Sequence, residues 1–176
     1  MKVNPRSFIL VGALAVAGAA QAQNPFDLGA SVGIFMPSSG TIRNAFGSQI
    51  LKFGFGGVGQ QSTGNLKIGT EFDIMSANKN GNRLLIMPFV FTGEQQLAME
   101  GAVRPYIKPF AGLAYIDYGI NVPGGRKESK VIRVTYGLEG GIVLSQKLRL
   151  SARYSMFQNS GFDFNGLTLS ATFSLR

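Results

Sequence analysis

The feature that most constrains this chain is an alternation of apolar and polar residues with a period of two, recurring along most of its length. Successive side chains of a β-strand point to opposite faces, so each such stretch predicts a strand with one oily and one polar face. Phe26, Leu28, Ala30, Val32, Ile34 and Met36 interleave with Asp27, Gly29, Ser31 and Gly33. Leu51, Phe53 and Phe55 interleave with Lys52, Gly54 and Gly56, and Leu66, Ile68, Phe72 and Ile74 with Lys67, Gly69, Glu71 and Asp73. Residues 83–97 are apolar on both faces, which leaves their facing open. In 105–118, Ile107, Ala111, Leu113 and Tyr115 share a side. Ile132, Val134, Tyr136, Leu138, Ile142 and Leu144 oppose Arg133, Thr135, Gly137, Glu139 and Gly141. Leu148, Leu150, Ala152, Tyr154 and Met156 alternate with Lys147, Arg149, Ser151, Arg153 and Ser155. Leu167, Leu169, Ala171, Phe173 and Leu175 then alternate with Thr168, Ser170, Thr172 and Ser174, completing eight strands.

The segments between them are rich in Gly, Asn, Ser and Pro, the residues of turns. The connections 37–49, 77–82, 121–130 and 159–164 average longer than 61–65, 98–103 and 145–147, although 77–82 and 98–103 are equal in length. Long loops at one end and short turns at the other are the pattern of an outer-membrane barrel. Eight strands of ~11 residues, the length a tilted strand needs to cross a bilayer, fit within the chain with enough left for its connections.

Residues 1–22 read differently. Lys2 and Arg6 precede an apolar run from Phe8 to Ala20, and Ala20-Gln21-Ala22 offers small residues at a cleavage position. This is the pattern of a secretory signal peptide, and the run falls short of the ~20 residues of a membrane-spanning helix. Cleavage after Ala22 leaves 154 of the 176 residues, one domain over 23–176, and lowers the formal charge from +8 to +6 as Lys2 and Arg6 depart. Charged residues make up 15% of the chain, against roughly 25% in soluble domains. An exported chain so poor in charge points to lipid as its solvent.

The polar face tells which way the oily one looks. It carries Gly, Ser and Thr with isolated charges of both signs, a composition suited to the interior of an eight-stranded barrel, which side chains just fill. A water-facing exterior would carry denser Lys and Glu. The expected fold is therefore all-β: an eight-stranded antiparallel up-and-down transmembrane barrel, oily side out. Asp27, Lys52, Lys67, Glu71, Asp73, Arg133, Glu139, Arg149 and Arg153 would form a charge network in its lumen. Polar faces must stay together across the hairpin at "LSQK", which demands a three-residue loop, 145–147 or 144–146. The first puts Glu139 directly opposite Arg153, the second on its diagonal. Tyr115, Tyr136 and Tyr154 would serve as an interfacial girdle.

The chain resembles the small bacterial outer-membrane β-barrel proteins, the OmpA/OmpX- and OmpW-like group. The most specific stretch is "LLIMPFVFTGEQQL" followed by "VRPYIKPFAGLAYID", similar to the OmpW-like arrangement in which Arg104-Pro105-Tyr106 opens an ascending strand. Lys108-Pro109-Phe110 stands where that family has a Gly-rich run, and the final Phe173-Ser174-Leu175-Arg176 lacks its terminal aromatic residue. The resemblance implies a bacterial outer-membrane location, with membrane lipid and the barrel-assembly machinery as partners. It implies a structural, envelope or loop-mediated role. The alternatives are a narrow pore or conduit for small or hydrophobic molecules, and a secreted, soluble lipocalin-like barrel.

Chemistry is scarce. The chain has no His and no Cys, which removes the commonest general base, the thiolate nucleophile and the preferred metal ligands. Some small outer-membrane barrels are lipid-modifying enzymes built on a His, and that constellation cannot be assembled here. Glu71 and Asp73 read better as neutralising partners of lumen arginines than as a catalytic pair. "GFGGVGQ" (54–60) lacks the Lys-Ser/Thr of a phosphate loop. The expectation is a non-enzyme without cofactor or metal and without a nucleic-acid partner. A cationic cluster of Arg126, Lys127 and Lys130 in the fifth loop is a candidate contact for anionic headgroups or an unidentified loop partner.

Overall fold

The computed structural model describes residues 27–63, 66–97, 103–145, 147–158 and 161–175. The proposed cleavage site, Gln23 and Phe26 lie outside them. The described chain is a closed barrel in which each strand pairs antiparallel with its neighbours in sequence and the eighth returns to the first. The strands are β1 (Asp27–Pro37), β2 (Ile50–Thr63), β3 (Leu66–Lys79), β4 (Asn82–Gln96), β5 (Arg104–Val122), β6 (Gly125–Val143), β7 (Leu148–Phe157) and β8 (Gly166–Ser174). One helix, α1 (Gly40–Phe46), lies in the β1–β2 connection. Both ends of the barrel chain lie at one rim, here the terminal end. The opposite rim, carrying α1, is the far end.

Alternation decides the two faces. Val32, Ile34, Leu51, Phe53, Phe55, Phe91, Leu113, Val134, Leu138, Leu150, Leu169 and Phe173 all point outward and are exposed. Lys52, Asp73, Lys108, Glu139, Arg153 and Thr168 point inward and are buried. A soluble lipocalin-like barrel would reverse the two. In the stretch whose facing the sequence left open, the even-numbered Leu84, Ile86, Val90, Thr92, Glu94 and Gln96 are buried, Met87 is buried as well, and Phe91 and Leu97 are exposed.

The connections depart from the expected pattern. Residues 77–82 and 121–130 are not long loops. β3 turns into β4 through Asn80-Gly81, both at positive φ (49° and 77°), the tight hairpin that the Asn-Gly pair favours. β5 turns into β6 through Pro123-Gly124, with Gly124 at φ 93°. The asymmetry between the ends therefore lies in strand length: β5 and β6 are 19 residues each, while β7 and β8 are 10 and 9. The middle of the sheet rises beyond the rest as a ribbon at the far end.

The stretch 37–49, expected to be a loop, contains α1. Ile42, Ala45 and Phe46, spaced three and four apart on one helical stripe, are buried. They join Phe35, Ile50, Met75, Leu84, Ile86, Ala114, Ile116, Tyr118, Ile120, Phe157 and Phe164 in an apolar core inside the far half of the barrel. Phe164 comes from the β7–β8 connection, is fully buried, and stacks at a tilt on Tyr118, 5.4 Å between centroids. The lumen is thus stoppered at the far end.

One girdle expectation needs correction. Tyr136 and Tyr154 are exposed on the outer wall, but Tyr115 is 1% exposed. It does point outward, yet it sits between Met87 and Ile132 in the strand register and packs with Phe72 and Met87. Its neighbours cover it.

Candidate functional site

Beneath the apolar stopper, five strands bring six charges to one level of the lumen. β2 contributes Lys52, β3 Glu71 and Asp73, β5 Lys108, β6 Glu139 and β7 Arg153. The β6–β7 loop takes the 145–147 form, with the Leu144 and Ser145 amides donating to the Leu148 carbonyl, and Glu139 lies directly opposite Arg153. Arg153 Nε donates to Glu139 Oε2 at 2.7 Å. Its guanidinium also reaches Asp73 Oδ2 at 3.2 Å and donates to Glu71 Oε2, so it joins neighbouring β6 to β3 across the lumen. Lys108 Nζ lies 2.6 Å from both Glu71 and Glu139, and Lys52 Nζ lies 2.8 Å from Asp73 and donates to Ser31 at 3.1 Å. Tyr106 donates its hydroxyl hydrogen to Glu139 Oε1 at 2.9 Å.

Three cations face three carboxylates, so the layer is neutral, and it is nearly dry: Arg153 and Asp73 are 5% exposed and Glu139 4%. Its chemistry is that of a cross-brace. Taking charges out of water is costly, and pairing offsets that cost only while every member keeps its partners. Arg153 is also seated over the Phe110 ring, 4.7 Å from its centroid. That ring fits because position 137 has no side chain; a Cβ there would stand 2.7 Å from Phe110 Cζ.

Nearer the terminal end, Arg149 Nη1 pairs with the fully buried Glu94 Oε2 at 2.7 Å and lies over the Tyr106 ring. A polar cavity of about 60 Å³ runs among Arg149, Glu94, Ser151, Lys147 and the charge layer, enough for a few water molecules. Of the remaining lumen candidates, Lys67 is opposite Glu94 in the β3–β4 register and forms no ion pair among the described residues. Arg133 lies apart from the layer, opposite Ala114, and its Nη1 donates to the Ile132 carbonyl. The side chain of Asp27 lies outside the described part, although its backbone begins β1. Lys108, Tyr106 and Glu94 escaped the sequence reading. The signal for Lys108 was present, since it alternates with Ile107 and must face inward.

The cationic cluster of Arg126, Lys127 and Lys130 is also corrected. All three are in β6, not a loop, and alternation sends Lys127 to the face opposite Arg126 and Lys130. Arg126 Nε donates to Glu128 Oε1 at 2.6 Å, and its Nη1 to the Gly81 carbonyl at 2.8 Å. Lys130 and Arg83 both approach Asp117, at 3.6 and 3.3 Å. The outer face of the ribbon is therefore a mixed-charge surface just beyond the apolar wall.

No protein-family model matches the chain, and comparison with curated proteins gives no match. Solved structures do match. Neisserial surface protein A (NspA) superposes with a TM-score of 0.63 at 15% identity, covering 84% of this chain and 94% of that one. The N-terminal β-barrel domain of Pseudomonas aeruginosa OprF gives 0.54 at 10% identity, covering 85% and 98%. The Yersinia pestis outer membrane protein Ail gives 0.53 at 10% identity, covering 85% and 99%. The fold is that of the small outer-membrane barrels, as the OmpA/OmpX-like resemblance implied.

Proposed function

We propose that this chain is an integral protein of the bacterial outer membrane with a structural or surface-interaction role, not a catalyst or an open pore. The observation that carries the reading is the double closure of the lumen, by the neutral charge layer and by the apolar stopper of α1, Phe35 and Phe164. The exposed apolar wall supports lipid as its surroundings. On this reading, residues 1–22 direct export and are removed, the barrel-assembly machinery inserts the rest, and the far-end ribbon faces outside the cell. The His-based constellation of lipid-modifying barrels has no counterpart in a chain without His.

The test is single-channel recording of the purified barrel in a planar bilayer against detergent controls. The expected record has no discrete conductance steps. Stable, reproducible openings would overturn the closed-lumen reading in favour of a conduit.

A further inference from the structure

The terminal mouth of the lumen carries more cation than the barrel itself uses. Lys147, Arg149 and Ser151 alternate toward the lumen on β7 and the turn before it, and β8 sets Thr172 directly opposite Arg149 and Ser170 opposite Ser151. The Lys147 carbonyl accepts from the Ser174 amide at 2.9 Å, which ties the turn to the same strand pair. These five side chains line the polar cavity beside Glu94. Arg149 gives Nη1 to Glu94 and keeps 20% of its side chain exposed; its Nε and Nη2 have no partner among the described residues. Lys147 is exposed and forms no ion pair among them. Lys67 and Arg104 occupy inward positions at the same end of β3 and β5, likewise without an ion pair among the described residues. Against these four cations stand two carboxylates. One is Glu94, already held by Arg149, and the other is Asp27 at the start of β1, whose side chain lies outside the described part.

The neighbouring wall leaves room in front of them. β1 sets Gly29, Ser31 and Gly33 beside Ser174, Thr172 and Ser170, so no bulky side chain fills the space. The cavity of about 60 Å³ there holds a few water molecules, or the four oxygens of one phosphate group in their place. Guanidinium, ammonium and hydroxyl hydrogens face it from several directions, a donor set suited to a tetrahedral oxyanion. A metal cation would instead be repelled by Arg149 and Lys147. The charge layer beneath supplies no spare anion, because its three carboxylates are already matched by three cations. We propose that Lys147, Arg149, Ser151, Ser170 and Thr172 form a binding site for a phosphate group, entered from the terminal mouth. The group comes either from free phosphate or from a lipid headgroup, and the test separates the two.

The site goes beyond the closed-barrel role and does not depend on which side of the membrane the mouth meets. The test uses folded, isotopically labelled barrel in neutral maltoside micelles, titrated with inorganic phosphate against chloride of equal ionic strength. Amide NMR shifts at Ser151 and Thr172 should saturate with phosphate and stay small with chloride. Lys147→Gln, in an exposed turn, should weaken binding about three- to fivefold. Thr172→Val keeps the shape of the wall but deletes a donor to a charged ligand, and should weaken binding about tenfold. Lys127→Gln makes the same change of net charge at the far end and should leave the affinity as it was. Phosphatidylglycerol mixed into the micelles separates the sources. The same shifts from the lipid with no added phosphate assign a headgroup, and a response to inorganic phosphate alone assigns the free ion. Silence toward both probes, equal saturation with chloride, or equal weakening by Lys147→Gln and Lys127→Gln would overturn the proposal.

Discussion

Arg153 and Glu139 face each other directly across the β6–β7 ladder, with Nε 2.7 Å from Oε2, and both are nearly excluded from solvent. Neither can lose the other without stranding a charge in the barrel. Glu139→Gln and Arg153→Gln should each lower unfolding stability by ~3–5 kcal/mol. The double variant should lose less than the sum. Urea unfolding of the refolded barrel in lipid vesicles measures all three, and strictly additive losses would mean that the two side chains act independently.

Gly137 makes room for the ring on which Arg153 rests. An added Cβ at 137 would run into the Tyr154 carbonyl oxygen of β7 and into the Phe110 ring, so Gly137→Ala should strain the β6–β7 pairing as well as displace Phe110, and cost ~1–3 kcal/mol by overpacking. Gly140, on the outer face of the same strand, has nothing within 4 Å of an added Cβ, so Gly140→Ala is the matched control. Equal melting of the two variants would refute the crowding argument.

Leu150 stands on the apolar wall, 41% exposed. Leu150→Arg should cost roughly 2–4 kcal/mol if the position lies near the bilayer midplane, and less toward an interface. If the outer wall faced water instead of lipid, the same substitution at this exposed position would be nearly neutral. Vesicle-based unfolding distinguishes the two, as does the loss of a faster-migrating unboiled band on a denaturing gel.

Outside the apolar belt, the hydrogen bond from Arg126 holds the Glu128 carboxyl below the ordinary carboxylate range, with the Arg126 charge adding to it. A lowered pKa means that the stabilisation from this pair is present at neutral pH and is lost only as pH falls through the lowered value. NMR titration of the Glu128 side chain should show a depressed midpoint that returns upward in Arg126→Gln. An unshifted midpoint in the unmodified protein would remove the pair from the account.

Most of the barrel was legible because period-two alternation records facing directly. Inward Glu139 and Arg153, and outward Leu150 and Phe173, follow from parity alone. One requirement, that polar faces stay together, narrowed the β6–β7 hairpin to two registers, and the structure takes the 145–147 form. Glu94 was hidden because its neighbours from 83 to 91 are apolar on both faces: the inward ones fill the stopper and the outward ones cover the wall. The far-end turns were misjudged because Gly, Asn and charged residues suit a solvated strand as well as a loop. Short α1 was missed because its buried stripe of Ile42, Ala45 and Phe46 has meaning only against Phe35 and Ile50. Tyr115 shows the limit of parity, which gives direction and not cover.

The stopper also imposes an order of events on assembly. Phe35 precedes nearly all of the barrel and Phe164 follows nearly all of it, yet both lie in one apolar cluster, and Ser38 donates its amide hydrogen to the Asn165 carbonyl at 2.8 Å. The parts of this latch come together only when the last strand meets the first. Until then the far mouth gapes and its oily lining is wet, and after it the seam must tear open a packed cluster to separate. Closure of this barrel is therefore a committing step, and its native state should persist through slow opening of that seam. Phe164→Ala should accelerate unfolding more than it slows folding, and an unchanged unfolding rate would show that the latch does not hold.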